Sequence, residues 1–144
     1  MTSSNRKLLL VVAAVALGVA AVVRAWFSTH GVSVGLWGLE VCDNGCHGVR
    51  WDNAGADLDI YLFGYLGVAA ALATSVVTCL AALGERPQLM KLVRMMAMVS
   101  LATMVAFAVR ILVEGGLSIS WAAILGPVAA IVIRVLATDD GRTA

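Results

Sequence analysis

Cys42, Cys46 and His47 are the residues of this chain best equipped for chemistry, and their spacing admits four uses. Two thiols separated by three residues can oxidise to a disulfide across a tight turn. Cys42-x-x-x-Cys46-His47 is also a lengthened form of the c-type haem attachment motif. There both thiols would form thioethers and His47 would be one axial ligand, with His30 or a methionine as the other. With His30 or an aspartate, the same side chains supply the ligand types of a zinc site. Thiol–disulfide exchange is the fourth use, although redox motifs usually place two residues between the cysteines. The intervening Asp43-Asn44-Gly45 is a turn sequence that explains the spacing without a ligand. A structural disulfide with no metal and no cofactor is therefore expected, and a membrane redox subunit with haem or a reactive disulfide is the alternative. Cys79, alone in an apolar run, reads as a packing residue.

Little else points to catalysis. The chain has no serine–histidine–acid set, no phosphate-cradling glycine loop and no carboxylate pair inside an apolar run, so an enzyme is not expected. Asp52, Asp57 and Asp59 form an acidic cluster that reads as a solvated edge in preference to a Ca²⁺ site.

The turn fixes a register. If Cys42 and Cys46 flank it as a cross-strand pair, Val41 faces His47, Leu39 faces Val49 and Trp37 faces Trp51. Side chains alternate between faces along a strand. One face then carries Trp37, Leu39, Val41, Val49 and Trp51, and the other carries Glu40, both cysteines, Gly48 and Arg50. Val32 and Val34 alternate around Ser33 and can add a third strand.

The elements that position this hairpin are apolar. The 144 residues are 61% hydrophobic and 13% charged, with a mean hydropathy of +0.94. A soluble domain would carry roughly twice that charged fraction, about a quarter. Four runs, at 8–27, 60–83, 92–113 and 117–137, match the ~20 residues that cross a ~30 Å hydrocarbon core. The first could instead be a cleaved signal peptide, but it stays bulky as far as Trp26-Phe27, which favours an uncleaved helix. Residues 28–59 form the large loop between the first two runs. The formal net charge of +1 offers no basic face, so nucleic acid is not a partner.

Seven of the ten basic residues, namely Arg6, Lys7, Arg86, Lys91, Arg94, Arg134 and Arg142, fall on the side of the termini. The positive-inside rule then places both termini in the cytoplasm and the large loop outside a plasma or inner membrane. Trp26, Phe27, Tyr61, Phe63 and Trp121 are expected in an interfacial aromatic belt. Ala14/Gly18 and Gly67/Ala71/Ser75 repeat small residues at four-residue spacing, which suits close helix packing. Arg24 and Arg110 lie at the loop-side ends of the first and third runs. They can snorkel to headgroups or pair with Asp57, Asp59 or Glu114, the last at helical spacing from Arg110.

Four spans, a large first loop, Gly35-Leu36-Trp37 and two following cysteines together resemble the claudin, peripheral-myelin-protein and epithelial-membrane-protein superfamily. The resemblance covers the whole chain in topology and residues 35–46 in motif. It implies a small extracellular sheet over a left-handed four-helix bundle. The interval between the cysteines is shorter than the family's and the one before Cys42 is longer; the shorter loop implies a trimmed sheet in a prokaryotic or otherwise divergent relative. The expectation is an all-α membrane protein, a single four-helix bundle with a disulfide-tied hairpin. Its role would be structural or adhesive, through self-association or contact with another membrane protein.

Overall fold

The computed structural model describes residues 2–23 and 25–138. Four helices, α1 (Ser3–Val22), α2 (Leu58–Leu83), α3 (Met90–Glu114) and α4 (Trp121–Thr138), form an up-down bundle. Each packs on its neighbours in sequence, and α1 closes the ring against α4. All four are long and apolar enough to cross a membrane. The shortest, α4 with 18 residues, spans about 27 Å at the helical rise.

Local chemistry sets the ends. The Thr2 hydroxyl caps α1 by accepting the Asn5 N–H at 3.3 Å. Helix α2 stops at Gly84, and Pro87 opens the single 3₁₀ turn Pro87–Leu89 that leads into α3. Gly115 and Gly116, both with φ near +80°, break α3 by adopting a left-handed conformation that side chains resist. Pro127 lies inside α4, where it removes one backbone donor.

The bundle interior is built from small residues on α1 and α2. Ala13, Ala14, Leu17, Ala20 and Ala21 form the buried stripe of α1, and Gly64, Gly67, Ala71, Thr74 and Thr78 form that of α2. Ser75 donates to the Ala14 carbonyl at 2.7 Å, and a Cβ on Gly18 would lie 3.1 Å from the same hydroxyl. Two of the small-residue stretches therefore meet. Gly67 faces elsewhere, toward Leu36. Thr74 and Ser100 share a buried hydrogen bond at 2.8 Å between α2 and α3.

Above one end of the bundle lies a five-stranded antiparallel sheet in the order β4-β3-β2-β1-β5. Strands β1 (Phe27–Thr29), β2 (Val32–Gly35), β3 (Gly38–Cys42) and β4 (Cys46–Arg50) come from the first loop. The two-residue β5 (Ser118–Ile119) comes from the loop between α3 and α4 and pairs with β1. The β3–β4 ladder has the expected register, Cys42↔Cys46, Val41↔His47 and Leu39↔Val49.

Three expectations need correcting. The first helix ends at Val22, not 27, because Trp26 and Phe27 turn back into the protein and are almost wholly buried. They are core residues, not members of a belt. The fourth helix begins at Trp121, four residues later than the apolar run, because Ser118 and Ile119 are taken by the sheet. Trp37 does not pair with Trp51: the ladder ends at Gly38↔Arg50, with Trp37 in the β2–β3 turn and Trp51 in the turn after β4. A Cβ on Gly38 would lie 2.3 Å from the Val49 carbonyl oxygen, so the last paired position of β3 admits only glycine.

Candidate functional site

The sheet and its seat on the bundle bring most of the singled-out residues together. Registers across the sheet align Ile119, Phe27, Val34, Leu39 and Val49 on one face. Burial along that face is graded. Phe27 and Val34 are buried, Leu39 and Val49 half-buried, and exposure rises toward both edges, to 36% at Val41 near the tip and 56% at Ile119 on β5. The expected apolar face therefore exists for Leu39, Val41 and Val49, but only its base is covered.

Leu36 is the plug at that base. It is fully buried at the β2–β3 turn, and its carbonyl oxygen would lie 2.0 Å from a Cβ on Gly64 of α2. Only glycine admits the turn so close. The Leu36 side chain continues over Gly67, where an added Cβ would make ordinary contact at 3.5 Å. The Trp51 indole N–H donates to the same Leu36 carbonyl at 3.0 Å. That bond satisfies a buried donor and a buried acceptor together.

An aromatic cluster joins sheet to helices. Trp26 and Trp51 both meet Phe107 of α3 edge-on, with centroids 6.3 and 6.1 Å away. The Trp26 indole donates to the Ala20 carbonyl at 2.6 Å. Its ring reaches α4, where a Cβ on Gly126 would stand 3.1 Å from it. Ala20 heads the last turn of α1, so one indole touches three helices.

Charges tie the rim. Arg110 donates from Nε to Asp59 at 2.8 Å and from Nη2 to Asp57 at 3.0 Å, binding the end of α3 to the start of α2. Of the two readings of Arg110, snorkelling or pairing, the contacts are those of pairing, with Asp57 and Asp59. Arg24 lies outside the described residues, as does the side chain of Glu114. Tyr65 donates its phenol to Asp52 at 2.9 Å, and Arg50 approaches the same carboxylate at 3.3 Å. The phenol hydrogen bond, helped by the Arg50 charge, holds the Asp52 carboxyl below its usual range.

At the tip the Cys42 and Cys46 sulfurs lie at disulfide distance, with Cα atoms 4.1 Å apart. The Glu40 carboxylate sits within 4.8 Å of both sulfurs. Once those sulfurs are bonded to each other, the trio offers a cation only one carboxylate. His47 pairs with Val41, so alternation puts it on the face opposite the cysteines. A haem joined through both sulfurs would find His47 behind the sheet. His30 sits in the β1–β2 turn beside Thr29, at 3.5 Å.

The anchor residues Trp26, Phe27, Gly64, Phe107 and Gly126 were not singled out from sequence as a group. Gly64 between Phe63 and Tyr65 carried a usable signal, since a glycine inside a helix marks close backbone approach. Gly35, Leu36 and Trp37 lie next to one another at the anchored turn, the first two buried and the third half-buried. No protein-family model matches the chain, and no curated protein matches it.

Proposed function

We propose that the chain is a claudin-like integral membrane protein with a structural or adhesive role. Its termini lie in the cytoplasm of a plasma or inner membrane, and it assembles laterally or contacts a partner protein through the disulfide-tied hairpin of the sheet. The observation that carries this reading is the graded face. The sheet is gripped at Leu36, Trp51 and Trp26, while Leu39 and Val49, half-buried, and Val41, exposed, extend beyond the grip. A platform held rigid at its base loses little conformational freedom on contact, which favours binding. The orientation is supported by charge. Among the described residues, Arg6, Lys7, Arg86, Lys91, Arg94 and Arg134 lie at the end opposite the sheet.

Chemical crosslinking in native membranes tests the proposal, with Val41→Asp as the perturbing variant. Wild-type chains are expected to give a discrete higher-mass product that V41D loses while keeping its thermal stability. Wild-type protein that yields only monomer would overturn the reading.

A further inference from the structure

The end of the bundle farthest from the sheet holds a cleft of about 320 Å³ between α1, the end of α2 and the start of α3. That is within the usual range for small-ligand pockets, about 300–1,000 Å³. Its floor is apolar, with Leu10, Ala81 and Met90 all buried, and its rim carries Arg6, Lys7 and Glu85. Arg6 donates to the Leu136 carbonyl from Nε at 3.0 Å and also from Nη2, so its charge is held over the end of α4. The Lys7 ammonium meets the Glu85 carboxylate.

Glu85 is placed there by an unusual backbone. At φ +50° it is the only non-glycine among the described residues with a left-handed conformation. Such outliers concentrate where a local geometry serves a purpose. Gly84 before it and Pro87 after it bound the turn, and the carboxylate, 73% exposed, meets Lys7 at the open rim of the cleft. Beyond the cleft lining the same end of the bundle carries Arg86, Lys91, Arg94 and Arg134, and Glu85 is the only acidic residue there among those described.

We infer that this cleft binds a phosphate group, with Lys7 and Arg6 as its cationic rim and Glu85 as an internal anion that the phosphate displaces from Lys7. An apolar floor under a basic rim between helices suits the headgroup of an anionic phospholipid. A soluble phosphate ester presents the same chemistry. The inference rests on the membrane reading but not on any partner role of the sheet.

The test is native mass spectrometry of the full chain in neutral detergent, titrated with phosphatidylglycerol, phosphatidylcholine or inorganic phosphate. Phosphatidylglycerol is expected to be retained in preference to phosphatidylcholine. Lys7→Gln should weaken that retention about fivefold, the loss for one cation facing an anionic lipid. Glu85→Gln should strengthen it, because the competing carboxylate is gone. Retention of phosphatidylglycerol without phosphate binding identifies the lipid as the source. Displacement of the lipid by inorganic phosphate, dependent on Lys7, identifies a soluble ligand. If K7Q and E85Q change retention in the same direction, or wild type holds both lipids equally, the cleft contains only a structural ion pair and the inference is overturned.

Discussion

Gly64→Ala is the sharpest test of how the sheet is seated. The added Cβ would lie 2.0 Å from the Leu36 carbonyl oxygen and 3.1 Å from the Trp51 indole nitrogen. Both neighbours belong to one hydrogen bond, so the turn cannot retreat without breaking it. Overpacking of this kind costs about 1–3 kcal/mol. The broken hydrogen bond adds about 0.5–1.5 kcal/mol, and the better helix propensity of alanine returns about 1 kcal/mol. The net loss is about 1–3 kcal/mol, a fall in Tm of roughly 3–10 °C for a chain of this size. Gly67→Ala is the control. Its Cβ would make ordinary contact with a flexible leucine at 3.5 Å, so alanine is neutral or stabilising by up to about 1 kcal/mol. Thermal unfolding of both variants in one detergent, followed by tryptophan fluorescence, reads the difference in Tm. The reasoning fails if G64A melts with wild type, or if G67A falls as far as G64A.

Three further outcomes are expected. Phe107→Ala removes the ring that both indoles meet edge-on and should cost about 3–5 kcal/mol; unchanged tryptophan emission would contradict the cluster. The Asp52 carboxyl is depressed, so its contribution is complete above the usual carboxylate pKa and is lost as pH falls through the lower folded-state value. Tyr65→Phe should raise the Asp52 pKa toward the usual carboxylate range, as read by carboxyl NMR, and an identical titration in the variant would refute the phenol's role. Mature protein under non-reducing conditions should carry Cys42 and Cys46 two hydrogens lighter than the reduced form and show no Soret band. A Soret band from haem held by thioethers would reinstate the redox alternative.

The hairpin was legible in the sequence because a three-residue turn and the parity of the strands determine register without tertiary information. The four helices were legible from the length and polarity of their runs. The destination of an apolar side chain was not. Hydropathy does not distinguish a lipid tail from a protein interior, so Trp26 and Phe27 read as the end of a span when they are the start of the sheet. Two- and three-residue strands such as β5 and β1 carry too little pattern to announce themselves. Leu36 entered as a motif letter, and its role depends on Gly64, which lies 28 positions later and becomes its neighbour only in three dimensions.

The pairing of Phe27 with Ile119 has a consequence for how the chain is completed. These partners lie roughly ninety residues apart, and Ile119 is the second-to-last residue before α4. The strands from the first loop can pair among themselves early, but β1 keeps an open edge until nearly the whole chain has been made. An open edge invites pairing with other chains. The closing of that edge by β5 therefore marks the point at which the last helix has reached its place. A chain truncated after α3 would be expected to aggregate through β1 instead of failing silently.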